Sequence, residues 1–198
     1  MPDHGDGNLT ITRISDGEDV TGNFADGLSV FYQDEVYLVQ YDFTNEDGAD
    51  SHVVYCWIGS GANSDDKEAV FAKAKDLEDE LEGGVTLVKV PQGKEPKHFL
   101  NVFKGNLAIV FGGTSTDFQP TNANGSYADD NIRLFRVEGT ELGVDMRAIQ
   151  LSETADSLED DDVYLLETTE IVYLWNGKES NEEEQEAAKT FVKMVVGD

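Results

Sequence analysis

The sequence predicts an α+β chain built from one unit that occurs twice. Three features predict it. Strand-like runs return in the same order: LTITRI (9–14) as IRLFRV (132–137), DEVYLV (34–39) as DDVYLL (161–166), and VVYCWIG (53–59) as IVYLWNG (171–177). Each Trp-Xaa-Gly is followed by a long stretch of helical periodicity. Hydrophobic residues make up 39% of the 198 positions, an ordinary content for a chain that packs a core.

The elements follow in order. The first unit opens with two or three strands, and NEDGAD (45–50) makes a long turn around Asp47-Gly48 in its central hairpin. A helix is expected over 64–82. Ser64 is its N-cap, Asp65 and Asp66 lie in its first turn, and Val70, Ala74, Leu77 and Leu81 form its apolar stripe. Gly83-Gly84 end it. VTLVKV (85–90), QGKEPKHFLNVF (92–103) and NLAIVFGG (106–113) then give strand, short helix, strand. In the second unit Ser180-Asn181-Glu182-Glu183 is a capping-box pattern, and Ala188, Val192 and Val195 repeat the first helix's stripe at the same distances from the Trp. The sequence stops at Asp198 without a second copy of the last strand and short helix. Thr, Ser, Asn, Asp and Gly crowd 114–130, which reads as a linker. The expected organisation is a first repeat at 7–115, a linker at 116–127, and a C-terminally short second repeat at 128–198. Residues 1–115 are expected to fold alone.

Charge excludes several functions. There are 41 acidic and 14 basic side chains, a net charge of −27. Such a chain has no general field for nucleic acid or for an anionic membrane. The N-terminus has no apolar signal-like run and no window approaches a membrane span, so neither is expected. One cysteine, Cys56, excludes an internal disulfide framework. It points to a reducing compartment, and its place in a strand pattern makes it a buried core thiol. Three histidines and one cysteine assemble no zinc site. No nucleophile–base pair, P-loop, dinucleotide loop or metalloprotease helix is present, so no enzyme is expected.

Carboxylates are the informative groups. No EF-hand loop occurs, so a calcium site would need residues distant in sequence. Asp161-Asp162 opens the strand VYLL, and Glu184 lies nine residues after Trp175, four before the buried stripe. In the first unit Asp34-Glu35 opens VYLV, and Asp66 lies nine residues after Trp57. An acid at a strand mouth and one at a helix start could share a hard cation. The pairs exchange lengths, Asp162 with Glu184 but Glu35 with Asp66, which keeps the reach constant. The alternative is a solvated acidic face, because a helix's first turn favours acids in any case.

These segments resemble the gelsolin/villin superfamily in a two-repeat form. The resemblance rests on LTITRI, DEVYLVQY, VVYCWIGSGANSDDKEA, LEDELEGG, VPQGKEP and IVFGGTS in the first unit. In the second it rests on IRLFRVEG and DDVYLLETTEIVYLWNGKESNEEEQEAAK. It implies two domains, each a mixed sheet between a long and a short helix, the second lacking the final strand and short helix. It implies calcium held by Asp34 (main chain), Glu35 and Asp66, with Thr114 adding a carbonyl, and by Asp161 (main chain), Asp162 and Glu184. A further calcium shared with actin would use Glu78, Gly83 and Val85. The first long helix would lie in an actin cleft through Phe71, Ala72, Lys75, Asp76 and Asp79. The resemblance thus implies a cytoplasmic, cytoskeleton-associated protein that severs, caps or sequesters actin under calcium control. A calcium-binding module whose partner is not actin is the alternative. Lys89, Lys94, Lys97 and Lys104 are scattered among acids, so phosphoinositide binding is not expected.

Overall fold

A computed structural model describes residues 6–21, 28–81, 84–113 and 132–196, with side chains to 193. The first unit contains β1 (Asn8–Arg13), β2 (Ser29–Tyr32), β3 (Val36–Thr44), β4 (Asp50–Ile58), α1 (Ser64–Glu80), β5 (Val85–Pro91), α2 (Lys97–Val102) and β6 (Leu107–Val110). The second contains β7 (Arg133–Glu138), β8 (Arg147–Leu151), a single 3-10 turn (Ala155–Ser157), β9 (Val163–Glu167), β10 (Val172–Asn176) and α3 (Glu182–Val196). The expected linker at 116–127 lies outside the described residues.

The strands form two sheets, a four-stranded β1-β3-β4-β5 and a six-stranded β10-β9-β7-β8-β6-β2. The second sheet joins the two units. β2 and β6 of the first unit pair in parallel, and β6 pairs in parallel with β8 of the second. Strand alternation divides the first unit's core. Val36, Leu38, Val54, Cys56 and Ile58 face Val70 and Ala74 of α1. Tyr37, Val39, Tyr41, Tyr55 and Trp57 face the other way, onto Phe99 and Phe103 of the α2 region. That cluster runs on to Val137, Leu165 and Phe191 of the second unit.

The Trp-Xaa-Gly motif has the same structural cause in both copies. Gly59 N–H donates to the Glu35 carbonyl, 3.0 Å, and Gly177 N–H to the Asp162 carbonyl, 3.0 Å. A Cβ on Gly59 would lie 2.1 Å from the Gln33 oxygen, and one on Gly177 would lie 2.3 Å from the Asp160 oxygen. Only glycine lets the turn lie against the strand mouth. The QGKEP segment is explained as well. Glu95 accepts from the Trp57 indole N–H, 2.9 Å, and Gln92 accepts from Ser60 N–H, 2.8 Å.

Three local expectations are corrected. The α1 N-cap is Asn63, not Ser64; its side chain accepts from Asp66 N–H, 2.8 Å. The helix proper ends at Glu80 with Leu81 as its C-cap, earlier than 82. The capping box of α3 is Asn181 with Glu184, one residue later than expected: Glu184 N–H donates to Asn181 Oδ1, 2.7 Å, and Asn181 N–H to Glu184 Oε2, 3.0 Å. In both places the asparagine amide oxygen accepts from the amide three residues on, and the backbone places Asn63 and Asn181, not the neighbouring serines, at the cap.

Candidate metal centre and helix face

The strand mouth of β9 and the first turn of α3 meet at a cavity of about 270 Å³. Asp162 and Glu184 both line it, with Glu138, Asp145, Arg147 and Leu100. Burial first, and then the charges of Glu138, Asp161 and Glu184 against the opposing Arg136, push the Asp162 carboxyl up to about 6. Burial also raises the Glu184 carboxyl, although the Asn181 and Gly139 backbones hydrogen-bond it and oppose the rise. Asp145 goes the other way. Its burial is outweighed by Thr140 Oγ1 at 2.7 Å and by the Thr140 and Glu141 amides at 2.9 and 2.7 Å, so it stays an anion that ties the loop.

Two arginines temper the site. Arg136 Nε stands 3.6 Å from Asp162 Oδ2, and its guanidinium lies 2.7 Å from Glu138. Arg147 reaches the other Glu138 oxygen at 2.5 Å. Glu159, Asp161 and Asp162 bring carboxylate oxygens within 4.8 Å of one another. The sequence reading missed Glu159, Glu138, Asp145 and both arginines. The unbroken acidic run at 159–162 was the available signal for Glu159. The others arrive through β7, β8 and the loop between them, which no spacing rule connects to Asp162.

In the first unit Glu35 is buried, and Asp34, more exposed, has its carboxyl raised first by partial burial and then by Glu35. A Cβ on Gly113 would lie 3.0 Å from Glu35 Oε1, so the chain after β6 passes this carboxylate. Thr114, the next residue, lies outside the described residues, as does Gly83. Asp66 is half-buried and receives the Asn63 side-chain N–H, 2.7 Å. Glu78 and Val85 are half-buried. On α1, Phe71, Ala72, Lys75, Asp76 and Asp79 are all exposed, opposite Val70 and Ala74. Lys89 Nζ sits 5.5 Å from the Phe71 ring centre.

Hard carboxylate oxygens gathered at one partly buried cavity are the donor set that suits calcium, so the residues present fit that ion. The repeated strand–strand–Trp-Xaa-Gly–helix unit, with acids at strand mouth and helix start, is the pattern on which the resemblance to the gelsolin/villin superfamily rests. A family described as "Gelsolin repeat" matches residues 146–194, and one described as "Domain of unknown function (DUF7904)" matches residues 11–110. "Gelsolin, cytoplasmic" of Homarus americanus is 38% identical over 165 residues, covering 83% of this chain and 22% of the relative. Advillin of Mus musculus is 33% identical over 195 residues, 98% of this chain and 23% of the relative. Gelsolin of Xenopus laevis is 33% identical over 196 residues, 98% of this chain and 45% of the relative. The chain thus spans less than half the length of these relatives. The crystal structure of the Thorarchaeota 2DGel3/rabbit actin complex aligns over 96% of this chain and 88% of that chain, at 21% identity and a TM-score of 0.40. The chain belongs to the gelsolin/villin superfamily. Among the described residues no helix is long and apolar enough to cross a membrane.

Proposed function

We propose that the chain is a calcium-regulated actin-binding protein of the cytoplasm that severs, caps or sequesters actin. Membership in the superfamily supports the partner. The observation that carries the regulation is the cavity shared by Asp162 and Glu184, where burial raises both carboxyls and a bound cation would offset the cost of their charge. Asp162, Glu184 and the Asp161 main chain would hold one calcium. Asp34, Glu35, Asp66 and the Thr114 carbonyl would hold a second, and Glu78, Gly83 and Val85 would share a third with actin. Bound calcium supplies positive charge and a fixed oxygen geometry. In a −27 chain that charge lowers the repulsion felt by an acidic partner.

The α1 face of Phe71, Ala72, Lys75, Asp76 and Asp79 would dock on actin, being exposed and free of the core stripe. The test is co-sedimentation with actin filaments, and pyrene-actin depolymerisation, each with calcium and with a chelator. Ala72→Arg should leave the melting curve unchanged and weaken binding by about a hundredfold, roughly 2.7 kcal/mol. An Ala72→Arg chain that folds and still acts on actin like the parent removes this face from the proposal. Calcium binding with no actin effect of any kind would favour the module whose partner is not actin.

A further inference from the structure

The two units reach the acidic strand mouth by routes of different length. In the first, β2 ends at Tyr32 and β3 starts at Val36, so three residues make the crossing. In the second, β8 ends at Leu151 and β9 starts at Val163, so eleven residues make it. The fold closes with the short version, and a long connection on a rigid frame is where chains carry function. Within the longer route Glu153 to Asp156 and Leu158 to Asp161 are exposed, and Ser157 between them is half-buried. Ser157 closes the 3-10 turn. Its N–H donates to the Thr154 carbonyl, 3.1 Å, the Leu158 N–H donates to the Ala155 carbonyl, 3.2 Å, and the Thr154 and Ser157 hydroxyls lie 3.1 Å apart. Local bonds of this kind open at little cost. From Asp160 onward the chain is tied to the Trp-Xaa-Gly turn, because Glu179 N–H donates to the Asp160 carbonyl, 2.7 Å, and Gly177 N–H to the Asp162 carbonyl, 3.0 Å.

Four acids, Glu159 to Asp162, stand two to five residues after Ser157. Other hydroxyls of this acidic chain also precede acids, but the structure engages those groups elsewhere. After Ser15, Asp16 and Glu18 are both paired with Arg13. Ser180 donates to the Gly177 carbonyl, 2.8 Å, and the acids that follow it lie in α3. Thr44 is the last residue of β3, in the ladder opposite Asp50. Ser157 combines an acidic run with a segment that can be lifted into an extended form.

We infer that Ser157 is a phosphorylation site for an acid-directed serine/threonine kinase, one whose basic substrate groove reads Glu159 to Asp162, and that a cation held by Glu159, Asp161 and Asp162 closes the site. In the reaction Ser157 Oγ attacks the γ-phosphorus of ATP. The Oγ–P bond forms, the bond from that phosphorus to the bridging oxygen of ADP breaks, ADP leaves, and the hydroxyl proton passes to a base of the kinase. Recognition is by charge complementarity. Glu159, Asp161 and Asp162 bring carboxylate oxygens within 4.8 Å of one another, so a calcium ion there would neutralise the face that the kinase reads. The phosphate would record the calcium-free state of the chain. The closing of the site rests on the calcium reading above; the site itself does not.

The experiment treats the full 198-residue chain with recombinant casein kinase 2, an acid-directed enzyme, and ATP labelled at the γ-phosphate, in chelator and in calcium, and maps the product by mass spectrometry. In chelator, label is expected on Ser157. Ser157→Ala should abolish it and Ser157→Thr, which keeps a hydroxyl, should retain it, with melting curves as the folding control. Asp160→Asn, outside the three-residue cation cluster, should slow labelling at least about tenfold. Saturating calcium should slow labelling of the parent at least about fivefold. A free peptide of residues 150–164 should be labelled equally in both conditions, which separates this effect from any action of calcium on the kinase. Label that persists in Ser157→Ala, or its absence from the parent in chelator, overturns the proposal. Labelling of Ser157 that calcium does not slow, although calorimetry shows calcium bound, overturns the closing of the site and leaves the calcium reading standing. Labelling of Ser157 in a chain that binds no calcium supports the phosphorylation site and removes the calcium reading.

Discussion

Asp162→Asn should make the calcium-free protein more stable and remove the part of its calcium response that comes from the second unit's site. The Asp162 carboxyl is pushed up to about 6 from an ordinary 3.8, chiefly by burial. The folded chain therefore holds this proton more tightly than the unfolded chain does. Stability falls as pH rises from about 4 to about 6 and stays low above that. At about 1.4 kcal/mol per pH unit, two units set an upper bound near 3 kcal/mol. The side chain is 14% exposed and opens on a cavity, so screening reduces this to about 1–2 kcal/mol at pH 7. Asparagine removes the buried charge and keeps the shape. In a chelator at pH 7 the variant should melt about 2–6 °C above the parent, and the two curves should converge near pH 4. Calcium at about a hundred times the dissociation constant of the Asp162 site should stabilise the parent by roughly 2.7 kcal/mol through that site, and the variant should lose that part of the shift. Because the proton and the cation compete for the same oxygens, the parent's calcium response should also shrink below about pH 6. A variant that melts below the parent in chelator at pH 7, or that keeps the full calcium shift, would refute the reasoning.

Arg136 already brings positive charge to Asp162 at 3.6 Å, so Arg136→Met should raise calcium affinity by about three- to tenfold in calorimetry; weaker binding would count against the site. Gly177→Ala should cost about 2–4 kcal/mol, since its Cβ would fall 2.3 Å from the Asp160 oxygen, whereas Gly84→Ala, whose Cβ would meet nothing nearer than 3.6 Å, should be nearly neutral. Equal melting temperatures for the two alanine variants would remove the steric account of the Trp-Xaa-Gly turn.

Much of this architecture was legible because a repeat checks itself. The stripe positions Val70, Ala74 and Ala188 are all buried, at 1% exposure or less, as one helix period counted from each Trp requires. Cys56 is buried at 2%, and that burial raises its thiol to about 11, as its strand position implied. Asp162 and Glu184 reach one cavity because β9 and α3 bring a strand mouth to a helix start. What stayed hidden depends on long-range assembly. The pairing of β6 with β8 joins residues about forty apart, across a linker that periodicity cannot thread. The arginines near Asp162 and Glu138 come from β7 and β8, neighbours of β9 only through sheet order. Caps were misplaced by one residue because serine and asparagine both satisfy the rule, and only backbone geometry chooses between them.

That assembly predicts that the two units depend on each other, whereas the sequence led to the expectation that residues 1–115 fold alone. Leu107, Ala108 and Ile109 of β6 are nearly inaccessible where they pair with Arg147, Ala148 and Ile149 of β8. Leu100 of α2 lines the second unit's cavity beside Asp162 and Glu184. Lys97 lies 3.3 Å from Glu141 and 3.6 Å from Asp145, and Arg147 lies 3.9 Å from the Glu95 that holds Trp57. A change at the cavity thus meets groups that belong to the first unit's core. Cutting at 115 would bare one edge of β6 and uncover apolar side chains worth about 1.5–3 kcal/mol each. The isolated fragment should melt well below the full chain. In the full chain, tryptophan emission, which reports the first unit through Trp57, and helical ellipticity should trace one transition, and calcium should move both equally. Two transitions, of which calcium moves only the second unit's, would show that the shared sheet carries no coupling between them.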